Sequence, residues 1–157
     1  MYERVVVPLD GSEIAEAVLP HVAPFAERFG AEIVLVHVAK AFEEVSGETL
    51  PPGSIAIPDV SNVDIDASAG QHESEDAAAY LMRIASSLLA RGFKVSTELG
   101  EGPAPAAAII AIALDRDCDL IAMSTHGRSG LGRAVFGSVA DDVLRNSSLP
   151  LLLIRSG

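Results

Sequence analysis

Two kinds of apolar pattern alternate along this chain. Val5 to Leu9 is an unbroken β-branched and apolar run closed by Asp10-Gly11-Ser12, which predicts a strand buried on both faces and then a turn. From Glu13 to Arg28 the period changes. Ala17, Val18, His21, Val22, Phe25 and Ala26 recur at helical spacing, and Gly30 stands where a helix would stop. Pro20 and Pro24 fall inside that span, so a kink or break is expected there. Glu32 to Val38 (EIVLVHV) reads as a second doubly buried strand. A β-α-β order with short links calls for parallel pairing through a right-handed crossover.

The rhythm lapses from Ala39 to about His72, where Pro51, Pro52, Gly53, Pro58 and Gly70 punctuate a stretch without period; it reads as a long loop or lid. Ser74 ahead of Glu75 and Asp76 has the form of a helix cap, after which Ala79, Leu81, Ile84, Leu88 and Leu89 carry a helix to Arg91-Gly92. Phe93 to Leu99 alternates like a half-buried edge strand. An alanine-rich helix from about Ala104 to Asp115 follows, with a proline in its first turn. Asp119 to Ser124 is the fourth strand, Gly137 to Asn146 a helix, and Leu151 to Ile154 the last strand. Five strands alternating with four helices predict a single α/β domain over residues 1–157. Its expected form is an open doubly wound parallel sheet with helices on both faces, Rossmann-like.

Charge narrows the partners. Acidic side chains number 22 against 11 basic, a net charge of -11, and such a surface repels phosphate backbones and anionic lipid, so neither nucleic acid nor a membrane is an expected partner. No apolar run reaches the roughly 18 residues that a membrane helix needs. Met1-Tyr2-Glu3-Arg4 leads into a short apolar stretch ended by Pro8, without the longer apolar core of a signal peptide. The single cysteine, Cys118, has no mate for an intramolecular disulfide. A soluble cytoplasmic protein is the expectation.

In doubly wound sheets ligands collect beyond the carboxyl ends of the strands, where strand order reverses. The loop leaving the fourth strand is the richest there. It runs Ser124-Thr125-His126-Gly127-Arg128-Ser129-Gly130-Leu131-Gly132-Arg133 and on to Gly137-Ser138 at a helix start. Glycines let a backbone approach an anion, and a helix start offers unpaired N–H groups and a favourable dipole, so phosphate is the natural ligand. Between Leu120 and Ala140 the only charged side chains are Arg128 and Arg133, cations in a chain rich in acids. The plainer reading, turn glycines and solubilising arginines, accounts for the same residues. Asp10 alone reads equally as a turn residue, and His37 as a packed core residue of its strand. His72 has no second ligand at metal spacing, and Cys118 has no histidine partner in view for a nucleophile.

Ser124-x2-Gly127-x9-Gly137-Ser138 is similar to the glycine signature of nucleotide-binding universal stress proteins, Gly-x2-Gly-x9-Gly-Ser/Thr, with Ser124 at the first glycine position. The opening Val5-Val6-Val7-Pro8-Leu9-Asp10-Gly11-Ser12 and the closing Ser138-Val139-Ala140 with Pro150 to Ile154 resemble the same family, and the match spans essentially the whole chain. The resemblance implies an adenine nucleotide alpha hydrolase-like fold binding ATP with Mg2+ or Mn2+. By position, Asp10 would hold the ribose or the metal, Pro8 and Leu9 would flank the nucleoside, and Val38 would meet adenine through its backbone, with Met123 alongside. The phosphates would lie on Gly127, Arg128, Gly137, Ser138 and Val139, with Ser124, His126 and Gly130 also in the implied binding site. A homodimer pairing Leu151 to Ile154 with its mate is also implied, which would cover an apolar sheet edge. A stress-response regulator or signalling module follows from this. A slow ATPase stays open as an alternative, although no Walker-type Gly-x4-Gly-Lys-Ser/Thr occurs and no lysine lies in the glycine loop. So do a dimer that binds no nucleotide and a site for a cyclic nucleotide.

Overall fold

The computed structural model describes residues 2–40, 67–126 and 137–156. Five strands, β1 (Arg4–Pro8), β2 (Glu32–Lys40), β3 (Lys94–Gly102), β4 (Leu120–His126) and β5 (Leu151–Ser156), form one parallel sheet in the order β3-β2-β1-β4-β5. The order reverses between β1 and β4, which makes their carboxyl ends the switch point of the fold.

Period-two alternation within the strands divides the core between the two faces. Val5, Val7, Leu9, Ile33, Leu35 and Ala122 bury on one face against Val18, Val22, Leu81 and Leu88. Val6, Val34, Val36, Ile121 and Met123 bury on the other against Ile109, Ala113, Ala140 and Val143. The first face is covered by α1 (Glu13–Glu16), α2 (Leu19–Phe29) and α3 (Ala67–Ala90), the second by α4 (Pro105–Asp115) and α5 (Ser138–Asn146).

The break expected between Glu13 and Arg28 falls just ahead of Pro20, which cannot donate to the Glu16 carbonyl and whose ring crowds that oxygen, so α1 ends at Glu16 and α2 starts at Leu19. Pro24 sits inside α2 without ending it, and Gly30 closes α2 in the left-handed region at φ 67°. The third helix starts at Ala67, so Ser74 lies within it rather than at its cap and the loop expected to reach His72 is shorter; its span 41–66 lies outside the described residues. At the near end of that loop, Ala39 and Lys40 extend β2. Strand β3 is an edge strand as expected, although its last apolar position, Leu99, is exposed.

A polar clamp ties the strand starts together at the end of the sheet away from the switch point. The Asp119 carboxylate accepts the amides of Glu3 at 2.6 Å and Arg4 at 3.0 Å, fixing the start of β1 to the entry of β4. Glu32 accepts from the Ser96 hydroxyl at 2.7 Å and pairs with Arg4 at 3.3 Å. Arg116 in turn donates to Ser96 and pairs with Glu98 at 3.0 Å.

Candidate functional site

Where β1 ends, Gly11 at φ 83° turns the chain and Ser12 caps α1, its hydroxyl accepting from the Ala15 amide at 3.1 Å. The Asp10 Oδ1 atom accepts from the Ser12 hydroxyl at 2.6 Å and from the Ser12 amide at 2.9 Å. Partial burial pushes the Asp10 pKa up, but these two bonds and the field of His37 outweigh it and hold the carboxyl below the ordinary range. An ionised carboxylate therefore stands at the mouth of the switch point at neutral pH.

Strands β1 and β4 pair at Val5–Leu120 and Val6–Ile121, close to their starts, while the Leu9 amide still donates to the Val36 carbonyl of β2 at 2.7 Å. That bond keeps Leu9 beside His37 of β2, and Ser124 of β4 pairs with Ile154 of β5. All four belong to the face covered by α1 and α3, as the placement of Leu9, Ala122 and Ile154 in that core shows. Val38 and Met123 turn to the opposite face, where Met123 is buried and Val38 packs against the second core.

Two buried side-chain atoms among the described residues have no hydrogen-bond partner: His37 Nδ1 and Ser124 Oγ. Each costs about 1–3 kcal/mol while unpaired, so two such atoms toward the carboxyl ends of β2 and β4 call for a ligand or an ordered water. The His37 ring meets Tyr80 of α3 edge to face, with centroids 6.4 Å apart. Tyr80 donates to Glu16 Oε1 at 3.0 Å, and Arg83 pairs with the same oxygen at 3.5 Å while lying 5.4 Å from the Tyr80 ring centre. Burial, then the bond to Glu16, raises the Tyr80 pKa, so the phenol stays protonated and tethers α3 to α1.

At the same end of the sheet, α5 begins at Gly137, whose extended backbone serves as N-cap without a side-chain bond. The first N–H groups of α5, at Ser138 and Val139, lack intrahelical acceptors by construction and carry the positive end of the helix dipole.

Of the sequence-predicted site residues, Pro8, Leu9, Asp10, Val38, Met123, Ser124 and His126 stand at or just past the carboxyl ends of three adjacent strands, with Gly137, Ser138 and Val139 at the helix start. Gly127, Arg128 and Gly130 lie outside the described residues. Sequence reasoning passed over Ser12, Tyr80 and Glu16, and read His37 as core packing. His37 is half-buried with an unpaired nitrogen, and the one available signal was its position a residue before Val38.

No group of three or more His, Cys, Asp or Glu residues with metal-site geometry occurs among the described residues, and no described helix is long and apolar enough to cross a membrane. Burial pushes the Cys118 thiol up to about 11, far from thiolate chemistry at neutral pH.

A profile of the universal stress protein family matches residues 1–155. Universal stress protein MJ0577 of Methanocaldococcus jannaschii is 31% identical over 157 residues, covering 99% of this chain and 96% of the relative. The solved structure of hypothetical protein MJ0577 matches with a TM-score of 0.77 at 28% identity, covering 100% of this chain and 98% of that one. A universal stress protein from Archaeoglobus fulgidus, solved in complex with dAMP, shares the fold at a TM-score of 0.65 and 21% identity, covering 98% of both chains. With a profile match across the two sheet faces and the switch-point loop, this chain belongs to the universal stress protein family.

Proposed function

We propose that this chain binds an adenine nucleotide, ATP accompanied by Mg2+ or Mn2+, at the β1–β4 switch point, and that it acts as a stress-response regulator or signalling module through a homodimer. One observation carries the reading. An ionised Asp10 stands in the turn just past β1, and the N–H groups of a helix start without a side-chain cap at Gly137-Ser138 stand at the same end of the sheet. A carboxylate suits sugar hydroxyls or a divalent cation, and a helix start suits phosphate, so this end of the sheet offers both halves of a nucleotide their complementary chemistry.

In this reading Pro8 and Leu9 flank the nucleoside while Val38 and Met123 line the adenine, and Asp10 holds the ribose or the cation. Gly127, Arg128, Gly137, Ser138 and Val139 surround the phosphates, and Ser124, His126 and Gly130 belong to the same site. Bound Mg2+ or Mn2+ would neutralise phosphate charge beside Asp10 in a chain of net charge -11. The dAMP complex of the A. fulgidus protein is an instance of an adenine nucleotide held by this fold. The dimer reading rests on β5, an edge of the sheet with half-buried Leu151 to Ile154, whose outer side invites a second copy. A dimer that binds no nucleotide is the rival reading, favoured by the side chain of Ser124 where the signature has glycine.

The test is thermal denaturation with and without Mg-ATP, together with light scattering. A ligand at about 100 times its Kd adds about 2.7 kcal/mol, which for a chain of this length raises Tm by about 5–10 °C. That rise, larger for ATP than for GTP, with a dimer mass in scattering, is the expected result. A Tm unmoved by saturating ATP rejects the nucleotide reading, and a mass of 16.3 kDa rejects the dimer.

A further inference from the structure

Most helices of this fold turn charge to solvent. Glu27 and Arg28 are exposed on α2, Glu75 and Arg83 on α3, and Asp142 and Arg145 on α5. Helix α4 departs from them, since from Gly102 to Leu114 the chain carries no charged or hydroxyl side chain at all. Ala106, Ile109 and Ala113 of α4 face the core, yet Ala104, Ala107, Ala111 and Leu114 are exposed, Leu114 by 54%. A helix that is apolar on every side is one covered on every side, and nothing in the single chain covers this one.

The four exposed residues recur at intervals of three, four and three, which sets them in one stripe along α4 with the spacing of a helix–helix seam. Alanine at three of the four places lets a second helix approach closely. Turned end for end, the stripe complements itself: Leu114 falls opposite Ala104 and Ala111 opposite Ala107, so the one bulky side chain meets a small one.

The two ends of α4 set the direction. Asp115 is exposed in the last turn, where the helix dipole disfavours an acid, and no basic residue stands beside it in that turn. At the other end Ala104 makes no side-chain cap bond, and the Ala108 amide donates to the Ala104 carbonyl at 3.1 Å, so the amides of Ala106 and Ala107 before it lack intrahelical acceptors. An antiparallel copy brings each Asp115 to the uncapped start of the other helix, whereas a parallel copy would set the two acids side by side. A cationic partner, by contrast, would meet a single acid along the whole seam.

We propose that the outer face of α4 is a self-association surface, packing antiparallel about a twofold axis on α4 of a second copy of this chain. It is separate from β5. Helix α4 packs over β2 and β3, and β3 is the opposite edge of the sheet from β5, so both surfaces can be occupied at once and together they carry assembly past two chains. Three alanines in four contact positions make the seam shallow, so this pairing is the weaker one and shows at protein concentrations well above those of a dilute scattering measurement.

The experiment is sedimentation equilibrium over a wide concentration range on the wild type and Ala111→Glu, with circular dichroism and Tm recorded for both. Glutamate is a good helix former at an exposed position, so the variant is expected to keep its fold. The expected result is a wild-type mass that rises with concentration and an Ala111→Glu mass about half of it at the top of the range, whether or not β5 pairs. Oxidation of a mixture of Ala107→Cys and Ala111→Cys reads the register independently: the antiparallel seam favours the mixed 107–111 disulfide over either homodisulfide, and the native Cys118 is buried and does not compete. A wild type that stays monomeric at every concentration, or a folded Ala111→Glu with the wild-type mass, overturns the proposal. Mixed and homodisulfides in statistical proportion overturn it as well, since they mark random collision.

Discussion

Asp10 Oδ1 accepts two hydrogen bonds from a single residue, Ser12, through its hydroxyl at 2.6 Å and its amide at 2.9 Å. The same Ser12 hydroxyl caps α1 through the Ala15 amide, so the carboxylate at the strand end and the helix beside it are held by one side chain. Position and ionisation of Asp10 thus depend on a residue that need not touch any ligand.

Ser12→Ala removes the cap and one of the two bonds to Asp10. The expected cost is about 1 kcal/mol, read as a lower urea midpoint at unchanged slope, with the Asp10 carboxyl titrating closer to its ordinary value in NMR. Ser12→Thr keeps both bonds and most of the stability. An Ala variant with the wild-type midpoint would show that the cap contributes nothing.

Val38 depends on a glycine across the sheet. A Cβ at Gly100, its partner on β3, would stand 3.1 Å from Val38 Cγ2 and 3.0 Å from Ile112 Cδ1. Val38 is β-branched and has little rotamer freedom with which to retreat. Gly100→Val is therefore expected to cost about 1–3 kcal/mol by overpacking and to weaken nucleotide binding by shifting Val38, whereas Gly100→Ala costs less. Thermal melts of both variants beside wild type check the order, and a Val variant as stable as wild type contradicts it.

Acid should loosen the far end of the sheet first. The Ser96 hydroxyl bond, working against burial and helped by Arg4, holds Glu32 below its ordinary 4.5. The amides of Glu3 and Arg4 hold Asp119 below 3.8. A depressed folded pKa means that the unfolded state binds protons first, so this stability is complete above the unfolded values and is lost as pH falls through the folded ones. Urea midpoints should be flat from pH 7 to about 5 and fall below about 4, and Glu32→Gln should flatten part of that fall. A Gln variant whose midpoint declines with pH as steeply as the wild type would remove Glu32 from the account.

Much of this architecture is legible because burial writes itself into composition. Val5 to Val7 and Ile33 to Val36 are continuous apolar runs, and both faces of each prove buried, as a central parallel strand requires. The misread helix starts have local causes. Ser74-Glu75-Asp76 imitates a cap and first turn, while the real start at Ala67 carries Gly70 and few helix signals. Asp10 was visible because its place at a strand end follows from the sequence. The unpaired His37 Nδ1 and Ser124 Oγ were not, since their burial exists only once strands far apart in sequence are set side by side.

The central claim is an adenine nucleotide at the β1–β4 switch point, and calorimetric titration of Mg-ATP into nucleotide-free protein tests it most directly, beside Asp10→Ala and Gly127→Asp. The account predicts micromolar binding by the wild type and a loss of at least about tenfold in each variant, with all three proteins folded by circular dichroism. No binding heat from folded wild type, or wild-type affinity in both variants, would contradict it.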